Sequence, residues 1–331
     1  MLARRLAESP VLLADGATGT NLFDLGLTSG DAPELWLDRH PDRIASLHRA
    51  FVQAGADIIL TNSFGANGRR LMLHGLQDQA VALNRRAAEI ARAQADRAGR
   101  PVVVAGSVGP TGDLFAPLGT LTEAEAIEVF AEQIEGLKAG GADVAWIETM
   151  SAAEEMRAAA IAAAQAGLPW TLTASFDTAG RTMMGMLPEA FAAFARSLPT
   201  QPLAIGANCG VGAADLLVSI LGIAGAEGDT PVIAKANAGV PVVDGDRVVY
   251  SGTVETMELY AHLAMDAGAR IIGGCCGTTP AHLAAMRRAV DDHRNGGPRP
   301  EIAAIVAALG PLMQPAPGSG GEKRQGRRRS A

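Results

Sequence analysis

Cys209, Cys275 and Cys276 are the only cysteines in the chain, and all three stand at the carboxyl ends of short apolar runs. The two settings read Ala204-Ile205-Gly206-Ala207-Asn208-Cys209-Gly210 and Arg270-Ile271-Ile272-Gly273-Gly274-Cys275-Cys276-Gly277. Three thiolates on rigid strand ends fill three positions of a tetrahedral zinc ion and leave the fourth for a substrate. An all-sulfur donor set is soft and selects zinc over magnesium or calcium. Two other readings stand beside this one: a free cysteine often packs as a small hydrophobe, and an adjacent pair can serve redox chemistry. Metal binding also deprotonates a substrate thiol that ordinarily titrates near pH ~8.5. A sulfur-rich site keeps electron density on that thiolate and favours attack on carbon, so the reaction class read from these residues is alkyl transfer to a thiol.

Other strand ends add charge. Asp15 and Glu148 close two further apolar runs, and buried carboxylates need compensation, either from a scaffold lysine or arginine or from a cationic substrate amine. The turns Asp15-Gly16-Ala17-Thr18 and Gly106-Ser107-Val108-Gly109 are expected to expose backbone N–H groups that hold a substrate carboxylate. Asn62, Asn208 and Asn237 complete the rim. No histidine falls at a strand end; His262 and His282 are expected to pack or lie at the surface. Thiol, amine and carboxylate together describe a thiol amino acid.

These residues converge only if the chain folds to bring them together. Eight apolar runs recur, at Val11–Asp15, Asp57–Thr61, Val102–Gly106, Val144–Glu148, Thr171–Ser175, Leu203–Asn208, Val232–Ala236 and Arg270–Gly274. Each is followed by turn residues and then by a stretch with helical spacing. Near-continuous apolar strands alternating with helices imply a covered parallel sheet, and eight units predict a single-domain (β/α)8 TIM barrel over residues 1–310, with catalytic groups at the carboxyl face. An open dinucleotide-binding sheet would carry Gly-x-Gly-x-x-Gly after its first strand; Asp15-Gly16-Ala17-Thr18-Gly19-Thr20 does not match. Ser151 with Glu154, and Thr122 with Glu125, predict capping boxes. Gly140 and Gly167 predict helix ends, and Thr279-Pro280 a helix start. The loop from Gly16 to His40 is long enough to be functional. Gly245, Asp246 and Gly252 predict a surface hairpin with little bearing on the site.

Composition sets the remaining bounds. The 331 residues are 48% hydrophobic and carry a formal net charge of −7. Residues 311–331 hold Lys323, Arg324, Arg327, Arg328 and Arg329 against Glu322, so the rest of the chain is more acidic still, which argues against nucleic-acid binding. That Pro/Gly/Ser-rich basic tail is expected to be disordered. There is no run of about 18 apolar residues and no secretory signal at the N-terminus, so a cytoplasmic protein without membrane contact is expected. A homo-oligomer is left open.

Asp15-Gly16-Ala17-Thr18-Gly19-Thr20, Thr61-Asn62-Ser63-Phe64, Gly109-Pro110-Thr111, Ile147-Glu148-Thr149, Asn208-Cys209 and Gly273-Gly274-Cys275-Cys276-Gly277-Thr278-Thr279-Pro280 resemble the zinc-dependent homocysteine S-methyltransferases over about residues 10–290. The resemblance implies zinc on Cys209, Cys275 and Cys276, homocysteine as methyl acceptor, methionine as product, and Asp15 and Glu148 holding the homocysteine amine. Members of the family draw the methyl group from betaine, from S-methylmethionine, or from cobalamin. A quaternary ammonium donor calls for an aromatic cage. The two tyrosines, Tyr250 and Tyr260, fall outside the eight strand ends, which leaves Phe23, Trp36 and Phe64 for a partial cage. Gly65 and Thr149 stand where animal betaine enzymes carry tyrosines. Gly180-Arg181-Thr182 and Asn237-Ala238-Gly239-Val240-Pro241 look more like the homocysteine module of cobalamin-dependent methionine synthase, and that route requires a separate corrinoid partner protein. Two alternatives remain: a homocysteine-binding subunit inactive without such a partner, and a barrel lyase or hydrolase with structural cysteines.

Overall fold

The computed structural model describes residues 1–28, 30–244, 247–294 and 297–314. Eight parallel strands form one sheet: β1 (Leu12–Leu13), β2 (Ile58–Leu60), β3 (Val103–Val108), β4 (Val144–Met150), β5 (Trp170–Ala174), β6 (Ile205–Cys209), β7 (Val232–Ala236) and β10 (Ala269–Gly274). The sheet order is β1-β10-β7-β6-β5-β4-β3-β2. A parallel bridge between Ala14 and Ile58 joins the two ends and closes the barrel. All eight predicted runs are strands. Between β7 and β10 the chain inserts an antiparallel hairpin, β8 (Pro241–Asp244) and β9 (Arg247–Tyr250); its tip at 245–246 lies outside the described residues.

Alternation along the strands explains how the site is built. Leu12, Ala14, Ile58, Leu60, Val103, Ala105, Val144, Trp146, Ala204, Ile233 and Ile271 pack inside the barrel as one apolar cluster. Their neighbours face the helices and join a larger outer cluster. A strand's side chains repeat every second residue, so one further step beyond this apolar layer puts Ser107, Glu148, Asn208, Lys235 and Cys275 inward at the carboxyl rim. The apolar floor thus carries a polar layer made by the same strands.

The helices follow local signals with two corrections. Thr122 and Glu125 form the predicted capping box at the start of the helix Glu123–Ala139, a contribution of about 1 kcal/mol. Ser151 and Glu154 do not: the next helix begins at Ala153 with Ala152 as its uncapped N-cap. Gly140 is right-handed, and Gly141 takes the positive φ. Gly140 serves packing instead, since a Cβ there would lie 2.2 Å from the Arg85 carbonyl of the adjacent helix Ala80–Asp96. Gly167 has the expected left-handed conformation. Pro280 opens the helix Pro280–Asp292, where His282 completes a capping box with Thr279.

Residues 311–314 of the predicted tail are placed on the barrel, with the Met313 and Gln314 backbone N–H groups donating to the Asp215 carboxylate at 3.0 and 2.8 Å. Residues 315–331 lie outside the described residues. No described helix is long and apolar enough to cross a membrane.

Candidate active site

The three cysteine sulfurs lie within 4.8 Å of one another at the carboxyl mouth of the barrel. All are partly exposed, so they are not packing residues of the core. The β6 and β10 ends are laced together through β7. Asn237 Nδ2 donates to the Gly210 carbonyl at 2.7 Å, while its Oδ1 accepts from the Cys276 N–H at 3.0 Å. The Cys275 N–H donates to the Ala236 carbonyl at 2.6 Å. Cys209 adopts a left-handed backbone, φ 63°, which turns its side chain off the ladder at a cost of about 1–3 kcal/mol that the surrounding bonds must hold.

Asn208 does much of that holding. Its Oδ1 accepts from the Thr149 N–H at 2.9 Å and from Thr173 Oγ1 at 2.7 Å. Its Nδ2 donates to Thr149 Oγ1 at 2.7 Å and reaches Cys275 Sγ at 3.9 Å. Thr149 is itself left-handed, φ 62°, so one buried amide secures two strained strand ends.

The donor set fits a soft divalent cation. A tetrahedral ion with zinc–sulfur bonds of about 2.3 Å sets sulfurs about 3.8 Å apart, inside the 4.8 Å within which the three sulfurs lie. The thiols cannot ionise together unaided. Cys209 is favoured as thiolate by Cys275 but opposed by Cys276, by burial and by the second sulfur's charge, and is pushed up to about 12. Cys275 is raised too, first through its contact with Cys209. A bound dication removes that mutual repulsion.

Glu148 stands beside this cluster. Ser107 Oγ donates to its Oε1 at 2.5 Å. Burial pushes its pKa up to about 6 against the lowering effects of the Lys235 charge and the Ser107 bond. Asp15 lies deeper and is already partnered: Lys235 Nζ contacts its Oδ1 at 3.0 Å, and the Leu60 N–H donates to its Oδ2 at 2.7 Å. Lys235 and Asp15 side chains are 2% and 1% exposed.

The two turns expected to cradle a carboxylate differ. Ser107 N–H donates to Thr61 Oγ1, and Gly109 N–H to the Phe64 carbonyl, so the turn after β3 has its donors committed. After β1, Ala17 N–H donates to the Thr278 carbonyl, whereas among the described residues no acceptor meets the Gly16 N–H. Gly16 passes so close to Thr278 and Phe51 that a Cβ would lie 2.6 Å from the Thr278 carbonyl.

On the donor side, Phe23 and Phe64 are exposed, at 50% and 37%, with Phe64 lying over Gly109. Trp36 does not join them. It is 5% exposed, meets His40 edge-on and carries the Arg43 guanidinium over its ring at 5.0 Å. The hairpin bears on the site more than its sequence suggests. Tyr250, at the end of β9, packs its ring against Gly277, the residue that follows Cys276. Lys235, Thr149, Thr173 and Tyr250 were not legible as site residues; the one available signal was a lysine inside the otherwise apolar run Val232–Ala236.

Residues 12–290 match the homocysteine S-methyltransferase family. Methionine synthase of Mycobacterium leprae is 32% identical over 296 residues, covering 85% of this chain and 24% of that protein. Methionine synthase of Mycobacterium tuberculosis is 30% identical over 326 residues, covering 92% and 27%. The chain therefore spans about a quarter of the length of these relatives. Among solved structures, the metallated homocysteine methyltransferase MmuM of Escherichia coli superimposes with a TM-score of 0.70 at 27% identity, covering 87% of this chain and 99% of that one. Its oxidized form gives 0.72 at 26% identity, covering 86% and 97%. The chain belongs to the homocysteine S-methyltransferase family.

Proposed function

We propose that the chain is a zinc-dependent homocysteine S-methyltransferase that forms methionine. The observation that carries this is the cluster of Cys209, Cys275 and Cys276, with sulfurs within 4.8 Å, beside a carboxylate at the same mouth. Zinc held by the three sulfurs supplies a Lewis acid that keeps a substrate thiol ionised at neutral pH. Ser107 aims Glu148 and favours its charged form, and Glu148 holds the substrate ammonium. The Gly16 N–H, which meets no acceptor among the described residues, is the donor we assign to the substrate carboxylate, with Ala17 fixing its turn through Thr278. Asn208 and Asn237 keep the cysteine-bearing strand ends in register. The sulfur–methyl bond forms as the donor–methyl bond breaks, and the donor keeps that electron pair. The proton of the substrate thiol leaves before transfer, so the carboxylates need not move it.

The two donor routes place different demands on the mouth of the barrel. With Trp36 buried, a cage for betaine is reduced to Phe23 and Phe64. The loops after β1, β2, β3 and β5 expose Phe23, Phe64, Leu114, Leu118 and Met183, an apolar rim that suits a donor presented by a second protein. We therefore read the donor as a methyl group on cobalamin carried by a corrinoid partner, with betaine as the second reading. The test is methionine formation by zinc-loaded protein supplied with homocysteine and either betaine or methylcobalamin. Product from methylcobalamin alone supports the partner route, and product from betaine overturns it. Cys209→Ala should lose both zinc and turnover; full activity in that variant overturns the metal assignment.

A further inference from the structure

A second group of ligating side chains gathers at the end of the barrel away from the mouth. His262 and Asp266 stand one turn apart at the close of the helix Val254–Asp266, just before β10 begins at Ala269. His293 follows the helix Pro280–Asp292 as its C-cap. Helices in this barrel run against the strands, so both helix ends, and the three side chains with them, lie at the amino face. The six residues of β10 separate this group from Cys275, about 20 Å at the rise of a strand.

The two imidazoles face each other through like atoms. His262 Nδ1 lies 3.5 Å from His293 Nδ1, with ring centroids 5.8 Å apart and planes inclined at 37°. That separation is long for a hydrogen bond from N–H, which runs about 2.7–3.2 Å. It is close to what a shared ion requires: two zinc–nitrogen bonds of about 2.0–2.1 Å at the tetrahedral angle set the nitrogens about 3.3 Å apart. The other ring nitrogen of His293, Nε2, faces Asp266 Oδ1 at 3.5 Å. A carboxylate there keeps the proton on Nε2 and leaves Nδ1 as a lone pair, the arrangement that orients histidine ligands and raises their basicity. The His293 side chain is 9% exposed and that of Asp266 29%, so water reaches the pair and can complete a coordination shell. The carbonyl ends of the two helices add partial negative charge, which favours a cation. Arg288 of the second helix pairs with Glu258 of the first at 2.6 Å, which holds the two helices, and so the two imidazoles, in place.

We propose that His262 and His293 form a second divalent-metal site, for an ion of the zinc class that takes imidazole nitrogen, with Asp266 as a positioning residue for His293. Imidazole suits zinc, copper and nickel over magnesium and calcium. Two protein ligands hold such an ion more weakly than three thiolates, so this site fills after the cysteine cluster. Its action is structural: an ion there ties the end of the helix before β10 to the point where the chain leaves the helix after it.

Cobalt(II) titration of the full chain, untagged, reduced and free of oxygen, reads the two sites separately. Thiolate-bound cobalt gives intense sulfur-to-metal charge-transfer absorption, and imidazole-bound cobalt does not. The wild type should bind a second equivalent after the charge-transfer band has saturated. His262→Ala should stop at the first equivalent with that band unchanged, and His293→Gln, which replaces the other ligand, should do the same. Asp266→Asn should keep the second equivalent but weaken it by about 10–100-fold, the usual loss when the carboxylate behind a ligating histidine is removed. Saturation of the wild type at one equivalent overturns the proposal without any substitution, and so does a second equivalent that persists in either histidine variant. Cobalt binding that lacks the charge-transfer band yet disappears in His262→Ala overturns the cysteine assignment and supports this one.

Discussion

Asn208 makes more bonds than any other side chain at the mouth, and each goes to a group that the cysteine cluster needs in place. Its amide satisfies Thr149 at both N–H and Oγ1, accepts from Thr173 and reaches Cys275. Asn208→Ala leaves the left-handed Thr149 without its restraints and removes a donor to the cluster. Loss of such a supporting partner ordinarily lowers metal affinity by about 10–100-fold. Competition with a chromophoric chelator should therefore show weaker zinc binding in Asn208→Ala with the fold retained by circular dichroism; unchanged affinity would mean that Asn237 alone orders the strand ends. Ser107 acts on charge rather than position. Its hydroxyl donates to Glu148 in the ionised form, whose pKa burial has already raised to about 6. On the proposed function Glu148 holds an ammonium as a carboxylate, so kcat/KM for homocysteine should fall on the acid side of about pH 6. Removing the donor disfavours the charged form and raises the pKa further, so Ser107→Ala should move this acid limb to higher pH. A pH–rate profile with zinc content measured at each point checks the direction. A limb that stays put in the variant would assign it to another group.

At the scale of elements, the helix Pro41–Gln53 carries His48 as an uncharged core residue. It is 1% exposed, its Nε2 lacks a partner, and burial lowers its pKa from 6.5 to about 4. A histidine whose folded pKa lies below its unfolded value contributes stability that is present above the unfolded pKa and is lost as pH falls toward the folded one. The window is therefore between pH 6.5 and about 4, and its size is about 3 kcal/mol. His48→Leu cannot take up that proton. Urea titrations across this window should show the variant gaining on the wild type by about that amount as pH falls, and parallel curves would show that His48 is charged in the fold. The same contrast between pattern and partner decides what the sequence made legible. Eight strands were readable because an apolar run is a local signal, and the rim residues followed because strand ends converge in a barrel. Ser151 and Glu154 misled because a capping pair fixes no helix start by itself, and here the helix begins one residue later than the pair requires. The Ser107 and Gly109 donors were spent on Thr61 and Phe64, residues some forty positions away. Lys235 against Asp15 likewise depends on which side chains meet across the barrel, which the register of the closed sheet determines, while Tyr250 against Gly277 and Arg43 over Trp36 depend on how the hairpin and two consecutive outer helices fold back.

For the whole molecule the decisive question is what closes the barrel, since β1 and β2 are its first and last strands in sheet order and share only one bridge, Ala14 with Ile58. β1 is also two residues long. A side chain reinforces this seam. Asp57, just before β2, accepts from the Leu13 N–H at 3.0 Å through Oδ2. Arg287, in the last helix against the barrel, lies 3.1 Å from the same oxygen. Arg5 of the N-terminal helix and Arg100 ahead of β3 approach Oδ1 at 3.3 and 3.4 Å. One carboxylate therefore joins β1, β2, the approach to β3 and two helices at the end of the barrel opposite the cysteines. Asp57→Ala leaves three guanidinium groups facing one another, partly buried, and orphans the Leu13 N–H. Breaking a buried ion pair by deleting one partner typically costs about 3–5 kcal/mol; partial exposure of the arginines places this case near the lower end, at about 3 kcal/mol. Arg100→Met, which leaves two cations on the carboxylate, should cost clearly less. Denaturant unfolding measures both, and hydrogen exchange at the β1 and β2 amides shows where the loss falls. Selective loss of protection along that seam, with zinc binding at the far mouth preserved, is the expected result. Uniform loss across the barrel, or a destabilisation of Asp57→Ala no greater than that of Arg100→Met, would instead mean that the backbone bridge and the surrounding apolar packing close the barrel without the carboxylate.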